Sequence, residues 1–359
     1  MMSLTIRCAL VALALLVVAC GEGSRASDGT SFVGSPGTVY VELPFAGATR
    51  ADALSMLAAV RLVVEQSGSR IAVRRLDDVR GDLARCRTNA QRALADATAI
   101  AVVGTYDSAC TEVVRGVLAR SAIALVSPLN SGNGLDGIVR IAPSAEDEAR
   151  GVIAAALALR PDRLVLAEGW RGAGGPIQEL LVHSPLHAVA VAVVRAPSIA
   201  RRGDLIVGVG LSPVQVAGLL VAVRPVAARV LLPSSSAVPA TLRLRGAESA
   251  LVLSRFVPAS SLSGRGQSFA DAFAQRYGEP RDYDLYAADA MIAIDTALEA
   301  GGGATAGLRQ RLAALAGVPG VTRTFSVLPD GRTSPQLMAV LSIDRGGFRV
   351  DRVVTYDSS

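Results

Sequence analysis

The chain has 359 residues and a formal net charge of +5, from 36 basic and 31 acidic side chains. Every basic residue is an arginine, and the arginines are scattered along the chain with few aromatic residues between them. This pattern lacks the basic stripe and the motifs of a nucleic-acid-binding protein, so we expect no nucleic-acid partner. A chain of this length can bury two separate cores, and two core-bearing lobes are expected.

The first twenty residues have the pattern of a bacterial lipoprotein signal. Arg7 precedes an apolar run over residues 8–19, which is too short to span a bilayer and typical of a signal peptide. A small residue directly before Cys20 fits cleavage at that point and lipidation of the Cys20 thiol. We therefore expect a signal peptide over 1–19 and a flexible tether, rich in Gly and Ser, over 20–37. An ordinary secretory leader with a chance cysteine is the alternative.

After the tether, strand-like and helix-like segments alternate along the chain. Strand segments such as AIAVV at 99–103 and RLVLA at 163–167 contain almost no polar residues. Strands of this kind are typical of parallel sheets, which helices cover on both faces. A second series of strand–helix units begins near residue 145. The sequence therefore predicts an α/β fold of two doubly wound parallel-sheet lobes, with a ligand cleft between the carboxyl ends of their strands.

Two strand ends in the first series carry hydroxyl groups. The strand AIAVV runs into Gly-Thr-Tyr-Asp-Ser at 104–108, and the strand AIALV runs into Ser-Pro-Leu-Asn-Ser at 127–131. Ser108 stands where the next helix should begin, so it can cap that helix while the free N–H groups of the first turn point at an anion. This arrangement predicts a cradle for a carboxylate.

Two cysteines, Cys86 and Cys110, remain in the folded body once the leader is removed and Cys20 is lipidated. An even pair in an exported protein indicates a disulfide, and closing this loop would stabilise the fold by roughly 3 to 4 kcal/mol. Two buried thiols are the alternative. No neighbouring residues in the sequence support a catalytic or metal-binding role for them.

These features resemble the type I periplasmic binding proteins, in the branch of branched-chain amino-acid (Leu/Ile/Val) receptors of ABC importers. In that family a strand ending in glycine leads into a serine, and a later Ser-Pro-x-x-Ser/Thr turn supplies a second hydroxyl. The resemblance implies that Ser108 and Ser131 contact a ligand carboxylate, and that backbone groups near Leu129 and Ser131 meet an amino group. The segments that carry it are 39–44, 76–78, 104–108, 127–131, 140–144, 269–277, 286–290 and 325–331.

The resemblance also implies how the chain is divided. A first lobe would comprise 38–143 plus about 259–322, and a second lobe 144–258 plus about 323–359. The helices of Cys86 and Cys110 would then flank adjacent strands of the first lobe. The lobes would close over a ligand by hinge motion at three crossings, near 142–145, 256–260 and 320–325.

The second lobe departs from the family pattern at its ligand-facing loops. The usual Tyr-Gly pair is replaced by a Gly-rich loop at 169–175, and Leu-Ser at 211–212 replaces an aromatic residue. Ser234 stands where amino-acid receptors have an acidic residue. An ammonium group opposite a serine would lose a charge-assisted hydrogen bond worth about 1.5 to 3 kcal/mol. Glu168 and Asp107 are candidate substitutes, or solvated loop charges.

Three further residues are candidate ligand contacts, namely Tyr106, Trp170 and Ser234. Trp170 is the single tryptophan of the chain and lies in the Gly-rich loop, where an aromatic ring can pack against a ligand. A packing role is the alternative for Trp170 and for Tyr106. Tyr283 and Tyr286 are candidates for the edge of the cleft or for packing at the start of a helix.

The sequence offers no catalytic constellation. The two histidines, His183 and His187, flank a Ser-Pro pair, and no cysteine or carboxylate cluster nearby completes a metal site. We therefore predict no enzyme activity, no bound metal and no cofactor.

The function implied is that of an extracytoplasmic solute-binding lipoprotein of an ABC importer, which binds a small carboxylate-bearing ligand such as an amino acid and docks on a membrane permease. The lipid on Cys20 would anchor it to the outer face of the cytoplasmic membrane, or the protein would be periplasmic. The alternative is a ligand-sensing or accessory surface lipoprotein with a degenerate pocket that feeds no transporter.

Overall fold

The computed structural model describes residues 37–358, except 131, 133, 134, 136, 171, 183, 193, 194, 345 and 346. The lipidation site Cys20 and the ligand contact Ser131, both sequence predictions, lie outside the described residues. Among the described residues, none of the helices combines the length and the apolar character needed to cross a bilayer.

The first sheet is built from parallel strands that are buried almost throughout, except for the largely exposed edge strand over 72–77. Its strands are β1 (Thr38–Leu43), β2 (Ala72–Asp77), β3 (Ala99–Gly104), β4 (Ala124–Ser127) and β5 (Val139–Arg140). Their spatial order is β2-β1-β3-β4-β5. Helices on its faces are α1 (Arg50–Ser67), α2 (Leu83–Ala95) and α3 (Ser108–Leu118), together with the later α8 (Arg265–Tyr277), α9 (Asp282–Glu299) and α10 (Leu308–Ala313).

Among the residues that the structure describes, the second sheet has seven strands. Its members are β6 (Arg163–Glu168), β7 (Ala188–Ala192), β8 (Asp204–Val209), β9 (Arg229–Leu232), β10 (Ala250–Ser254), β14 (Gln336–Asp344) and β15 (Gly347–Tyr356). Their order is β15-β14-β10-β9-β8-β6-β7, with β14 and β15 antiparallel to their neighbours and the other pairs parallel. The helices in this part of the chain are α4 (Ala145–Leu159), α5 (Gly175–Leu181), α6 (Ala196–Ile199) and α7 (Pro213–Val223).

Within the described part of the chain, three passages connect the two sheets. The chain leaves β5 and enters α4, which packs on β14 and β15, and it returns from β10 into α8. The third passage runs through a small antiparallel sheet of β11 (Val318–Pro319), β12 (Thr324–Val327) and β13 (Thr333–Ser334) before β14. Each main sheet has a buried apolar cluster on both of its faces, which is the layer arrangement that parallel sheets require. The predicted α/β class is confirmed.

Candidate functional site

The carboxyl ends of β3 and β4 lie side by side, because these two strands pair in parallel. Gly104 ends β3 with a positive φ of 153°, and a Cβ atom there would collide with the carbonyl oxygen of Glu42 on β1. Glycine is therefore required at the point where the chain turns from the strand toward α3. The loops that follow the two strands, 105–107 and 128–130, meet above the edge of the first sheet.

The start of α3 corrects one detail of the sequence interpretation. Asp107, not Ser108, is the N-cap: its carboxylate accepts a hydrogen bond from the N–H of Cys110 at 2.8 Å. The Asp107 carbonyl accepts the N–H of Thr111 at 3.1 Å. The N–H groups of Ser108 and Ala109, the first two of the helix, have no intrahelical acceptor and both residues are exposed. These two donors, with the positive end of the helix dipole, favour an anion.

Ser108 joins the loops that follow β3 and β4. Its hydroxyl donates to Oδ1 of Asn130 at 2.9 Å, and the N–H of Gly132 donates to the same oxygen at 2.7 Å. Asn130 is buried, and among the described residues its Nδ2 has no hydrogen-bond partner. Leu129 is also buried. Its side chain is apolar, so only its backbone groups are suited to a polar contact. Asn130 was missed at the sequence level, although it precedes the predicted Ser131 directly.

Tyr106 lies at the edge of this cradle and is half-buried. The guanidinium carbon of Arg80 lies 5.6 Å from its ring centroid, within the range of a cation–π contact. Burial raises the pKa of the Tyr106 phenol, and the nearby Tyr283 and Asp52 raise it further. The neutral phenol can therefore offer a hydrogen bond at the cradle.

Two buried carboxyl groups lie behind the cradle. Glu42, on β1, accepts a hydrogen bond from Nδ2 of Asn89 at 3.0 Å, and burial raises its pKa to about 8. Burial, with Asp107 nearby, raises the pKa of Asp78 to about 6. The expected disulfide joins Cys86 to Cys110, whose Cα atoms are 5.6 Å apart. A carboxylate oxygen of Glu42 and the two Sγ atoms all lie within 4.8 Å of one another.

Trp170 is 63% exposed, at the carboxyl edge of the second sheet. Its indole packs beside Gly210, where a side chain would strike the indole Nε1. Glu168, a candidate ammonium partner at the sequence level, is buried and holds the Gly-rich loop instead, since it accepts the N–H of Gly174 at 2.7 Å. The loop thus presents its aromatic ring to solvent and keeps its carboxylate inside.

A carboxylate does lie next to Ser234. Glu148, in the first turn of α4, accepts the backbone N–H of Ser234 at 2.6 Å and its hydroxyl at 3.0 Å. An ammonium group at this position would therefore lie opposite a carboxylate as well as a serine, contrary to the expectation from Ser234 alone. Sequence reasoning missed Glu148 because it lies 86 residues before Ser234 and on a different element.

A pocket of about 690 Å³ adjoins Ser234 and extends to the start of α9. Phe256 and Tyr283 line it with an edge-to-face contact of 4.7 Å between ring centroids. The Arg255 guanidinium lies 5.9 Å from the Phe256 ring and adds a positive charge to the lining. Tyr286, the other aromatic candidate, is fully buried and its hydroxyl donates to the carbonyl of Arg255 at 3.2 Å. Of the two tyrosines, Tyr283 therefore faces the pocket and Tyr286 supports the wall behind it.

The first and third passages between the sheets are tied together by Arg323, which is 9% exposed. Its Nη2 donates to the carbonyl of Ile141 and to the hydroxyl of Thr333, each at 2.8 Å. Its Nε donates to the carbonyl of Pro335 at 2.6 Å. Gln336 donates to the carbonyl and the hydroxyl of Thr333 at 2.9 and 3.0 Å. The passages therefore share one buried hydrogen-bond network.

Neither the histidines nor the cluster of metal-binding residue types adds chemistry to this site. His187 is exposed on the loop before β7, and His183 lies outside the described residues. Among the described residues, the group Glu42, Cys86 and Cys110 is the one cluster of three metal-binding residue types, and its two cysteines are bonded to each other.

Comparison with solved structures finds many similar chains. An ABC transporter substrate-binding protein from Desulfitobacterium hafniense, in complex with Leu, is 20% identical with a TM-score of 0.68, over 88% of this chain and 100% of that chain. The branched-chain amino acid substrate-binding protein LivJ from Streptococcus pneumoniae, in complex with isoleucine, is 16% identical with a TM-score of 0.64, over 90% and 100%.

A solute-binding protein from Rhodopseudomonas palustris, in complex with 4-hydroxybenzoate, is 13% identical with a TM-score of 0.66, over 90% of this chain and 98% of that chain. No protein-family model matches the sequence, and no curated protein is similar to it. At these identities the similarity establishes the fold, which is the two-lobe fold of the type I periplasmic binding proteins, as the sequence predicted.

Proposed function

We propose that this chain is an extracytoplasmic solute-binding protein of an ABC importer, which binds a small carboxylate-bearing ligand between its two lobes. The structural neighbours are transporter substrate-binding proteins of the same fold, with bound leucine, isoleucine or hydroxybenzoate. All three ligands carry a carboxylate, and two carry an ammonium group as well. No catalytic step is proposed.

The observation that carries the proposal is the start of α3. The N–H groups of two exposed residues, Ser108 and Ala109, lie at the positive end of a helix dipole, and Ser108 also carries a hydroxyl. A ligand carboxylate can accept hydrogen bonds from all three groups if the Ser108 hydroxyl turns from Asn130 toward the ligand. Asn130 would then keep the N–H of Gly132 as its donor. Ser131, which lies outside the described residues, remains the predicted second hydroxyl, and Tyr106 the predicted edge contact.

The second lobe contributes the ammonium partner in this proposal. The two oxygens of Glu148 already accept hydrogen bonds from Ser234, but each carboxylate oxygen has a further lone pair. An ammonium group beside Ser234 would therefore meet a full negative charge that is held in place. This supports an amino acid as ligand and makes the pair of Glu148 and Ser234, not Ser234 alone, the proposed contact.

Closure would occur at the three passages between the sheets, with the network of Arg323 at the hinge. Trp170, exposed at the facing edge of the second lobe, would then be covered. The closed form would dock on a membrane permease. A lipid on Cys20 and the tether up to residue 37 would hold the protein at the outer face of the cytoplasmic membrane. The proposed lobes are those given by the sequence, 38–143 with about 259–322, and 144–258 with about 323–359.

The proposal is tested by screening the purified protein against amino acids, aliphatic acids and benzoates by thermal shift, with calorimetry of every hit. Ligand at a hundred times its dissociation constant should stabilise the protein by about 2.7 kcal/mol. Ser108→Ala should weaken the hit by about tenfold or more, since it removes one hydrogen bond to a charged group. Ser198→Ala, at an exposed serine of α6, is the matched control and should bind normally. Binding that is equally strong in both variants would contradict the proposed cradle.

A further inference from the structure

A second pocket, of about 480 Å³, lies in the first lobe between α1, α8, α9 and β11. This volume lies within the range that is usual for small-molecule sites. Asp282, at the start of α9, lines the pocket beside Ser234, whereas Asp295 on the same helix lines this one. Thirteen residues of helix separate them by about 20 Å, so this pocket is distinct from the proposed ligand cleft.

We propose that this pocket binds a small monovalent organic cation, namely a primary amine with a short apolar body. The inference is independent of the function proposed for the cleft.

The first observation is the state of Asp295. Its side chain lines the pocket, the residue is only 8% exposed, and it forms no hydrogen bond or ion pair with the rest of the described chain. The oxygens of Asp295 remain accessible from the pocket, and charges that are largely buried in proteins are normally paired. Glu299, one helical turn further along α9, lines the same pocket. An ammonium group is the partner that these two carboxylates lack.

The second observation is the direction of the helices. The hydroxyl of Ser55, near the start of α1, donates to Asp284, near the start of α9, at 2.6 Å. Farther on, Gln66 and Ser67 of α1 face the pocket together with Glu299 of α9, so the two helices run in the same direction and both end there. The last turn of neither helix contains a basic residue. The negative end of α1 therefore adds to the attraction for a cation, whereas the end of α9 is already contacted by Nε of Arg311, which donates to the carbonyl of Ala297 at 2.6 Å.

The charge and the apolar walls define the class of cation. Asp295 and Glu299 are negative and Arg265, exposed at the rim, is positive, so the lining has one net negative charge. Arg265 forms no ion pair with either carboxylate in the described chain. Calcium takes about six to eight oxygen ligands in a compact shell, which two carboxylates in a cavity of this volume do not provide. The apolar side chains of Phe269 and Ile292 favour an organic body attached to the ammonium group.

The test is calorimetric titration of the protein with benzylamine and n-pentylamine, and with benzyl alcohol and 1-pentanol as neutral analogues of the same shape. We expect both amines to bind and both alcohols to bind at least tenfold more weakly. Asp295→Asn should reduce amine affinity at least tenfold, because it removes the buried charge while keeping the shape. This variant should fold, because the amide has nearly the same shape as the carboxylate it replaces.

Asp271→Asn is the control, because Asp271 is an exposed acid of α8 that lies outside the pocket lining. It should bind the amines as the parent protein does. Absence of amine binding, equal binding of the alcohols, or an unchanged affinity in Asp295→Asn would each overturn the proposal. A circular dichroism melt of each variant excludes misfolding as the cause of a loss.

Discussion

Glu148 accepts two hydrogen bonds from Ser234, one from its backbone N–H at 2.6 Å and one from its hydroxyl at 3.0 Å. The contact connects the first turn of α4 with the chain after β9, and it places a negative charge at a position where the local sequence has serines alone. It changes the expected ligand chemistry, because an ammonium group at this edge would find a carboxylate already oriented by two donors.

The first prediction concerns Glu148→Gln. For an amino acid that binds the parent protein, the variant should lose about tenfold or more in affinity, since a charge-assisted hydrogen bond contributes about 1.5 to 3 kcal/mol. The desamino analogue, such as 4-methylpentanoate for leucine, should bind both proteins equally. Calorimetry of the two ligands with the two proteins gives the comparison. An equal loss for both ligands would assign Glu148 a structural role only.

The second prediction concerns Arg323, which lies at the proposed hinge. Arg323→Met leaves the buried carbonyl of Pro335 without its donor, while Thr333 and Gln336 still donate to the carbonyl of Ile141, so we expect the free energy of unfolding to fall by about 2 kcal/mol. Arg224→Met is the control, because Arg224 is 64% exposed and its ion pair with Glu248 is long, at 3.7 Å. Urea unfolding measures both. A loss as small as that of the control would show that the network does not hold the passages together.

The third prediction concerns the disulfide between Cys86 and Cys110. The bond closes a loop across a sequence separation of 24 residues, for which the loop-entropy relation gives about 3.5 kcal/mol. The double variant Cys86→Ala/Cys110→Ala should lose about this much stability in urea unfolding under oxidising conditions. Reduction of the parent protein should have a similar effect, whereas the variant should be insensitive to reductant. Sensitivity of the variant to reductant would mean that the stabilisation has another source.

The fourth prediction concerns pH. In the folded protein the pKa of Glu42 is about 8, above its ordinary value of 4.5, so the folded state binds the extra proton more tightly than the unfolded state. Stability contributed by this proton is complete below about pH 4.5 and is lost as the pH rises toward 8, by an amount on the order of 3–5 kcal/mol. Asp78, with a pKa of about 6, adds a smaller loss of the same sign between pH 4 and 6.

Glu42→Gln should therefore flatten the fall in unfolding free energy between pH 5 and 8, as measured by urea titration at each pH. The variant keeps an oxygen that can accept from Asn89. A slope equal to that of the parent protein would show that Glu42 titrates normally.

The architecture was predictable because it depends on local patterns. The apolar run of β3, with all but its first residue buried, requires helices on both faces of the sheet, and the alternation of strands and helices then gives the parallel order. The pair Cys86 and Cys110 followed from cysteine count and compartment. Each of these inferences uses residues that are neighbours in sequence or a count over the whole chain.

The site was less predictable because it depends on backbone geometry and long-range contacts. Asp107 and Ser108 are both good N-caps, and the choice between them rests on which residue has extended backbone; Asp107 does, with φ −124° and ψ 159°. The contact of Glu148 with Ser234 follows from the packing of α4 beside β9, which no local pattern encodes. Nothing in the sequence distinguishes Asp295 from other polar residues of a helix. Its burial results from the packing of α1 and α8 against α9.

The most direct test of the two-lobe receptor account uses the single tryptophan. Trp170 is 63% exposed at the edge of the second lobe, so its emission should be red-shifted and readily quenched by iodide in the free protein. Addition of a carboxylate ligand should shift the emission to shorter wavelength and reduce quenching, because closure covers the indole, and Ser108→Ala should shift the midpoint to higher ligand concentration. Saturating ligand that leaves both emission and quenching unchanged would contradict closure over the cleft.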